Sequence, residues 1–148
     1  MPAPLVIGIG NPLRGDDAFG PRVAEGLAAR GIPAVIHQGD GLGLIHLWRG
    51  RSPVHVVDAA RINEQPGRLL RLELGTEALP AELAGATSHR VGVVEAVELG
   101  RALKQLPERL VVHAVAAQAF GFGEAMTPAV ECMVEVLVQA LAAELDER

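Results

Sequence analysis

Two adjacent acids, Asp16 and Asp17, stand in the stretch Gly8-Ile-Gly-Asn-Pro-Leu-Arg-Gly-Asp-Asp-Ala-Phe-Gly20. Carboxylates in such a place serve as proton acceptors, as metal ligands or as helix caps. The preceding run, Leu5-Val6-Ile7 with Ile9, reads as a short buried strand. Glycines at 8 and 10 let the chain leave that strand through backbone angles closed to other residues. The acids are therefore delivered to a strand's carboxyl end, the edge at which open α/β sheets bind ligands. The spelling speaks against a nucleotide loop. A dinucleotide fingerprint needs Gly where Leu13 stands, a phosphate loop needs Lys where Asp16 stands, and two acids would repel a phosphate.

Further along, Asp40 follows a second strand, Ala34-Val-Ile-His37, and Asp58 closes a third, Val54-His-Val-Val-Asp58. One sheet edge thus collects carboxylates. His89 follows Thr87-Ser88, an N-cap signal, and the positive end of a helix disfavours imidazolium, which leaves a nitrogen lone pair for a metal. Two carboxylates and a neutral imidazole suit nickel or zinc. A capping or surface role is the competing reading for such a His. Other chemistries fail on residues: there is no His-Glu-x-x-His and no Asp-Thr/Ser-Gly, and Ser52 and Ser88 lack a nucleophile elbow. Cys132 falls inside the last helix near its apolar stripe and is expected to be a packed thiol. His37, His55 and His113 lie in strands and are expected to be core histidines, and His46 to pack within a helix.

The elements that must position these groups follow from periodicity. Apolar Val23, Ala24 and Leu27 among Arg22, Glu25 and Arg30 predict a helix over 21–30, with Gly31 as its stop. A short helix is expected from Gly41 to Trp48, and a half-exposed edge strand from Arg68 to Leu74. A helix from Thr87-Ser88 to about Lys104, a strand at Leu110–Val115 and a long amphipathic helix opened by Thr127-Pro128 complete the chain. Strands alternating with helices predict an α/β fold, a three-layer α/β/α sandwich whose mostly parallel sheet has about five strands.

The chain has 148 residues, enough for a single domain with one sizeable core. Apolar residues make up 49% and charged ones 21%, as in an ordinary globular protein, and no run is long enough for a membrane span. Met-Pro-Ala-Pro carries no secretory signal, so a cytoplasmic location is expected. Thirteen basic against eighteen acidic residues give a formal charge of −5, which argues against nucleic acid as a partner.

The chain resembles the hydrogenase maturation endopeptidases, which trim the large-subunit precursor of nickel-iron hydrogenases. The resemblance runs through Gly8-x-Gly-Asn-x-Leu-x-x-Asp-Asp17, Gly20, Gly39-Asp-Gly41, Val57-Asp-Ala59, Ser88-His89 and Thr127-Pro-x-Val130, in order and at family-like spacing. It implies that Asp17, Asp58 and His89 bind nickel and carry the cleavage, and that Asn11, Asp16, Asp40 and Gly41 contact the precursor. It also implies that the nickel belongs to the precursor and is bound only weakly by the free protein, which is expected to be a monomer. Asp17 stands where some members have Glu, Ala18 stands where many have Gly, and Ala116 to Ala125 departs from the family pattern. Two other readings compete. A nickel-sensing chaperone would need the same acids and His. Peptidyl-tRNA hydrolase shares the Gly-x-Gly-Asn-Pro turn, but that likeness stops at Pro12.

Overall fold

The structure is a computed structural model that describes residues 2–74, 87–88 and 92–146, with the backbone alone at 87, 88 and 92. The chain runs β1 (Ala3–Ile9), a 3-10 turn (Gly15–Ala18), α1 (Phe19–Ala28), β2 (Ala34–His37), α2 (Gly41–Trp48), β3 (Arg51–Arg61) and β4 (Leu69–Leu74). It continues through β5 (Thr87–Ser88), α3 (Gly92–Ala102), β6 (Leu110–Ala116) and α4 (Pro128–Asp146). The strands order as β2-β1-β3-β6-β4. β1, β2, β3 and β6 are mutually parallel, whereas β4 runs antiparallel to β6 at one edge. This is the expected α/β sandwich.

Both faces of the central strands are covered, which is why they read as near-continuous apolar runs. On one face Phe19, Val23 and Leu27 of α1 pack with Val130, Val134, Leu137, Val138 and Leu141 of α4 over Val57, Ala59 and Val115. On the other, Leu44, Ile45 and Trp48 of α2 join Val93, Ala96 and Val97 of α3 over Ile7, Ile9, Val56 and Val112. Trp48 is fully buried, and its indole N–H donates to the Gln105 carbonyl at 3.0 Å, so the one polar atom of that ring is satisfied.

The order of connection decides where a ligand could enter. From β1 the chain crosses through α1 to β2 on one side, then returns through α2 to β3 on the other side of β1. The winding therefore reverses between β1 and β3, the switch point beyond whose carboxyl ends open α/β sheets form their ligand crevice. Gly20, in the first turn of α1, lies on both strand ends. A Cβ there would collide with the carbonyl oxygens of Ile9 and Val57, and one on Gly8 would strike the Gly20 carbonyl. Glycine at both positions lets α1 start directly over the crevice.

Three expectations change. β3 runs on to Arg61, so Asp58 is inside the strand rather than at its last position. Ala59-Ala60-Arg61 is weak strand sequence, but β6 and β5 both supply it with pairing partners. Thr87-Ser88 is strand β5, not the start of a helix, and α3 begins at Gly92. Cys132 is exposed, because α4 buries the face carrying Val130, Val134 and Leu137 and position 132 falls outside it.

Candidate active site

The turn after β1 is organised by its two acids, and they do different things. Asp17 is fully buried, and its Oδ2 accepts the Asn11 amide at 2.8 Å across the turn. Gly10, at φ +146°, is required beneath it, since a Cβ there would run into the Asp17 carbonyl. Asn11 fixes the far side of the turn, its Oδ1 accepting the Leu13 amide at 2.9 Å.

Asp16 is also fully buried, but it faces the segment after β6. Its Oδ2 accepts the amides of Gln118 and Ala119 at 3.0 Å each and the Thr127 hydroxyl at 2.7 Å, while Oδ1 accepts the Thr127 amide at 2.6 Å. The Asp16 amide in turn donates to the Ala119 carbonyl at 2.6 Å. With four donors on one carboxylate, Asp16 is a clamp between two loops. Neither acid stands at an N-cap position, which Arg14 holds for the 3-10 turn and Ala18 for α1, both without a side-chain cap bond.

Asp58 stands on β3 at the same edge, 6% exposed, with its Oδ1 accepting the Ala59 amide at 2.8 Å. Its place beside the turn follows from register: Gly8 pairs with Val57, and Gly20 sits on the Val57 and Ile9 carbonyls. The two acids thus flank the β1–β3 crevice. β5 is placed by elimination. Ala60 pairs with Ala116 of β6 on one side and with Ser88 on the other, so β5 lies alongside β3 where β1 has turned away at Gly10. Ser88 is thereby set beside the crevice, two residues along β3 from Asp58. His89 itself lies outside the described residues. Among the described residues no group of three His, Cys, Asp or Glu forms a metal cluster.

Asp40 is further out. Its Oδ2 caps α2 by accepting the Gly43 amide at 2.8 Å, and its Oδ1 is 3.5 Å from Nε2 of His37. His37 is half-buried at the strand end rather than in the core, its Nδ1 accepting the Gly39 amide at 2.8 Å. Gly41 opens α2 and lies against Glu95 and Ala96 of α3. His46 is exposed, whereas His55 and His113 are the buried core histidines expected of them. A cleft of about 380 Å³ exists at the opposite, amino-terminal edge of the sheet, lined by Pro2, Ser52, Pro53, Arg109 and Glu144 among others. None of the candidate site residues lines it.

No local signal marks the partners of Asp16, which lie more than 100 positions away. Thr127-Pro128 does open α4, but the Thr127 hydroxyl serves Asp16, and it is the Thr127 carbonyl that accepts the first helical amides, Val130 and Glu131. Nor does any local signal mark the pairing of Arg14 and Arg61 with aromatic rings far along the chain. The Arg14 guanidinium lies over the Phe122 ring at 5.4 Å and that of Arg61 over Phe120 at 4.8 Å.

Comparison with known proteins identifies the family. The model of the hydrogenase maturation protease family matches residues 21–144, a span that opens just past the acid pair. The hydrogenase 2 maturation protease of Escherichia coli K12 is 29% identical over 150 residues, covering 97% of this chain and 90% of the relative. The hydrogenase expression/formation protein HupD of Thiocapsa roseopersicina is 30% identical over 154 residues, covering 93% and 69%. Among solved structures, the NiFe hydrogenase maturation protease HybD of Thermococcus kodakarensis superposes with a TM-score of 0.76 at 19% identity, covering 97% of this chain and 99% of that one. On the match of the family model over most of its length, the chain belongs to the hydrogenase maturation protease family.

Proposed function

We propose that this protein removes the C-terminal extension from the large-subunit precursor of a nickel-iron hydrogenase, and that it does so only once nickel has been installed. The observation that carries the reading is the position of Asp17 and Asp58 on either side of the crevice where the strand order reverses, with Ser88 paired to β3 next to them. In this reading the nickel is part of the substrate. Carboxylate oxygens and an imidazole nitrogen suit that ion, so Asp17, Asp58 and His89 are the groups that would read it. The Asn11 amide orients Asp17 by holding one of its oxygens.

Cleaving a peptide bond needs a water made nucleophilic. The crevice offers carboxylates as proton acceptors, and the precursor's own ion can polarise that water or the scissile carbonyl. Weak binding of nickel to the free protein follows, because three protein donors leave positions for the precursor to fill. The test is to incubate precursor with and without nickel and weigh the products by mass spectrometry. We expect loss of the extension from the nickel-loaded form alone. With Asp17→Asn, cleavage should fall by about two to four orders of magnitude. Equal cleavage of the nickel-free precursor would remove the metal-reading step, and nickel-dependent binding with no loss of mass would make the protein a chaperone.

A further inference from the structure

Asp16 does more than hold a turn: it welds the loop after β1 to the loop after β6, and the joined tips carry an unusual surface. The Gly123 amide donates to the Leu13 carbonyl at 2.8 Å, so the two loops meet at their outer ends as well as at Asp16. Leu13 is 60% and Phe122 is 67% exposed, two large apolar side chains set out in solvent on tips that are bonded together. Arg14 covers one face of Phe122, and Arg61, on the last residue of β3, covers Phe120. Among the described residues neither guanidinium has a carboxylate within salt-bridge distance, although the chain as a whole carries an excess of acids. The nearby carboxylate of Glu124 is turned back onto the Gly121 amide at 2.7 Å.

This rim borders the crevice, because Asp16 and Asp17 are neighbours in the same turn and Arg61 lies three residues beyond Asp58 on the same strand. We infer that the loops 11–14 and 120–123 dock the precursor's polypeptide beside the cleaved bond, seating an apolar side chain on Leu13 and Phe122 and a carboxylate of the same segment on Arg14 and Arg61. The inference rests on the reading of the crevice given above. Two features favour a peptide of that composition over a second copy of this chain. The uncompensated arginines call for an acidic partner, and the apolar area is confined to two side chains, too small for a stable dimer. The clamp supplies rigidity, so binding would not have to order the loops first.

Two measurements keep failure of the rim apart from failure of the proposed cleavage. The first is steady-state cleavage of the nickel-loaded precursor. The second is calorimetric binding of overlapping synthetic peptides that cover the precursor's C-terminal extension and the residues before it, with no metal present. Leu13→Ala/Phe122→Ala should raise KM about tenfold with kcat within about twofold, and should weaken the best peptide by a similar factor. Arg14→Ala and Arg61→Ala should each weaken that peptide and reduce the salt dependence of its binding. Leu13, Arg14 and Phe122 lie on loops and Arg61 ends β3, and unchanged circular dichroism and melting of the variants serve as the control. If wild-type protein binds a peptide that the rim variants lose, yet leaves the precursor uncut, the cleavage reading falls and the rim stands. If wild-type protein cleaves and the variants match it in KM and peptide affinity, the rim is overturned. A wild-type dimer that Phe122→Ala dissociates would also overturn it, by assigning the surface to self-association.

Discussion

Two regions of the sheet bury ionisable side chains, and they solve the problem of burial in opposite ways. At the carboxyl edge Asp16 is an acceptor ringed by donors: three amides and a hydroxyl converge on its two oxygens. Toward the amino edge, under α4, His55 and His113 are closed on each other. Nδ1 of His55 lies 2.9 Å from Nε2 of His113, and the rings are stacked at 5.1 Å. A neutral imidazole has one donor and one acceptor, so a single proton between the two rings satisfies both nitrogens, and a second would set two donors face to face. The lesson is that the acid site is built to hold loops from across the chain, whereas the histidine site pairs two rings beside Glu144, whose carboxylate lies 3.3 Å from Nε2 of His55, and is vulnerable to acid.

Breaking the acid side should have the larger effect. Asp16→Ala strands several part-buried donors at once, and with hydrogen bonds to a carboxylate contributing about 1.5–3 kcal/mol each, less relaxation and rehydration, a loss of roughly 3–5 kcal/mol is expected. That exceeds the about 1 kcal/mol that a helix cap alone would contribute. Urea unfolding at neutral pH measures it. A loss below about 1 kcal/mol would mean that the two loops hold together without the clamp.

The histidine side should respond to pH. Burial lowers His55 to about 4 against the partly opposing pull of Glu144, and burial together with His55 lowers His113 to about 3. The surrounding charges are Arg71 and Glu73 of β4, Arg109 before β6 and Glu144 of α4; Arg71 holds Glu144 at 2.9 and 3.1 Å, and Glu73 holds Arg109 at 3.0 Å. Because the folded values lie below the unfolded value of about 6.5, the unfolded chain binds more protons between them. Stability is therefore complete above about pH 6.5 and falls as the pH drops toward the folded values. Between pH 7.5 and 5.5 the pair should cost about 2–3 kcal/mol, seen as a lower urea midpoint. In His55→Leu/His113→Leu that dependence should flatten, and an unchanged slope would assign it to other groups.

The smallest effect belongs to the outer rim of the crevice, where Asp40 caps α2 from an exposed position. Asp40→Ala should cost about 1 kcal/mol of stability. If Asp40 also meets the precursor, the same variant should raise KM for cleavage, and an unchanged KM would leave it as a cap alone.

Much of this was legible in the chain. Helices α1, α2 and α4 and strands β1, β2, β4 and β6 follow from periods of 3.6 and 2, from Pro21 and Pro128 in first turns and from Gly31 as a stop, because these signals are local. The delivery of Asp17 to a strand's carboxyl end was local too, since a strand, two glycines and an acid pair lie within fifteen residues. What the sequence could not contain was any fact set by pairing at a distance. The length of β3 past Asp58 depended on β5 and β6, and the exposure of Cys132 on which face α4 turned inward. The division of labour between Asp16 and Asp17 is the clearest case. The two residues are identical and adjacent, and only the fold decides that one carboxylate points to Thr127 and Gln118 while its neighbour points back to Asn11 beside the crevice, because the donors that distinguish them come from opposite ends of the chain.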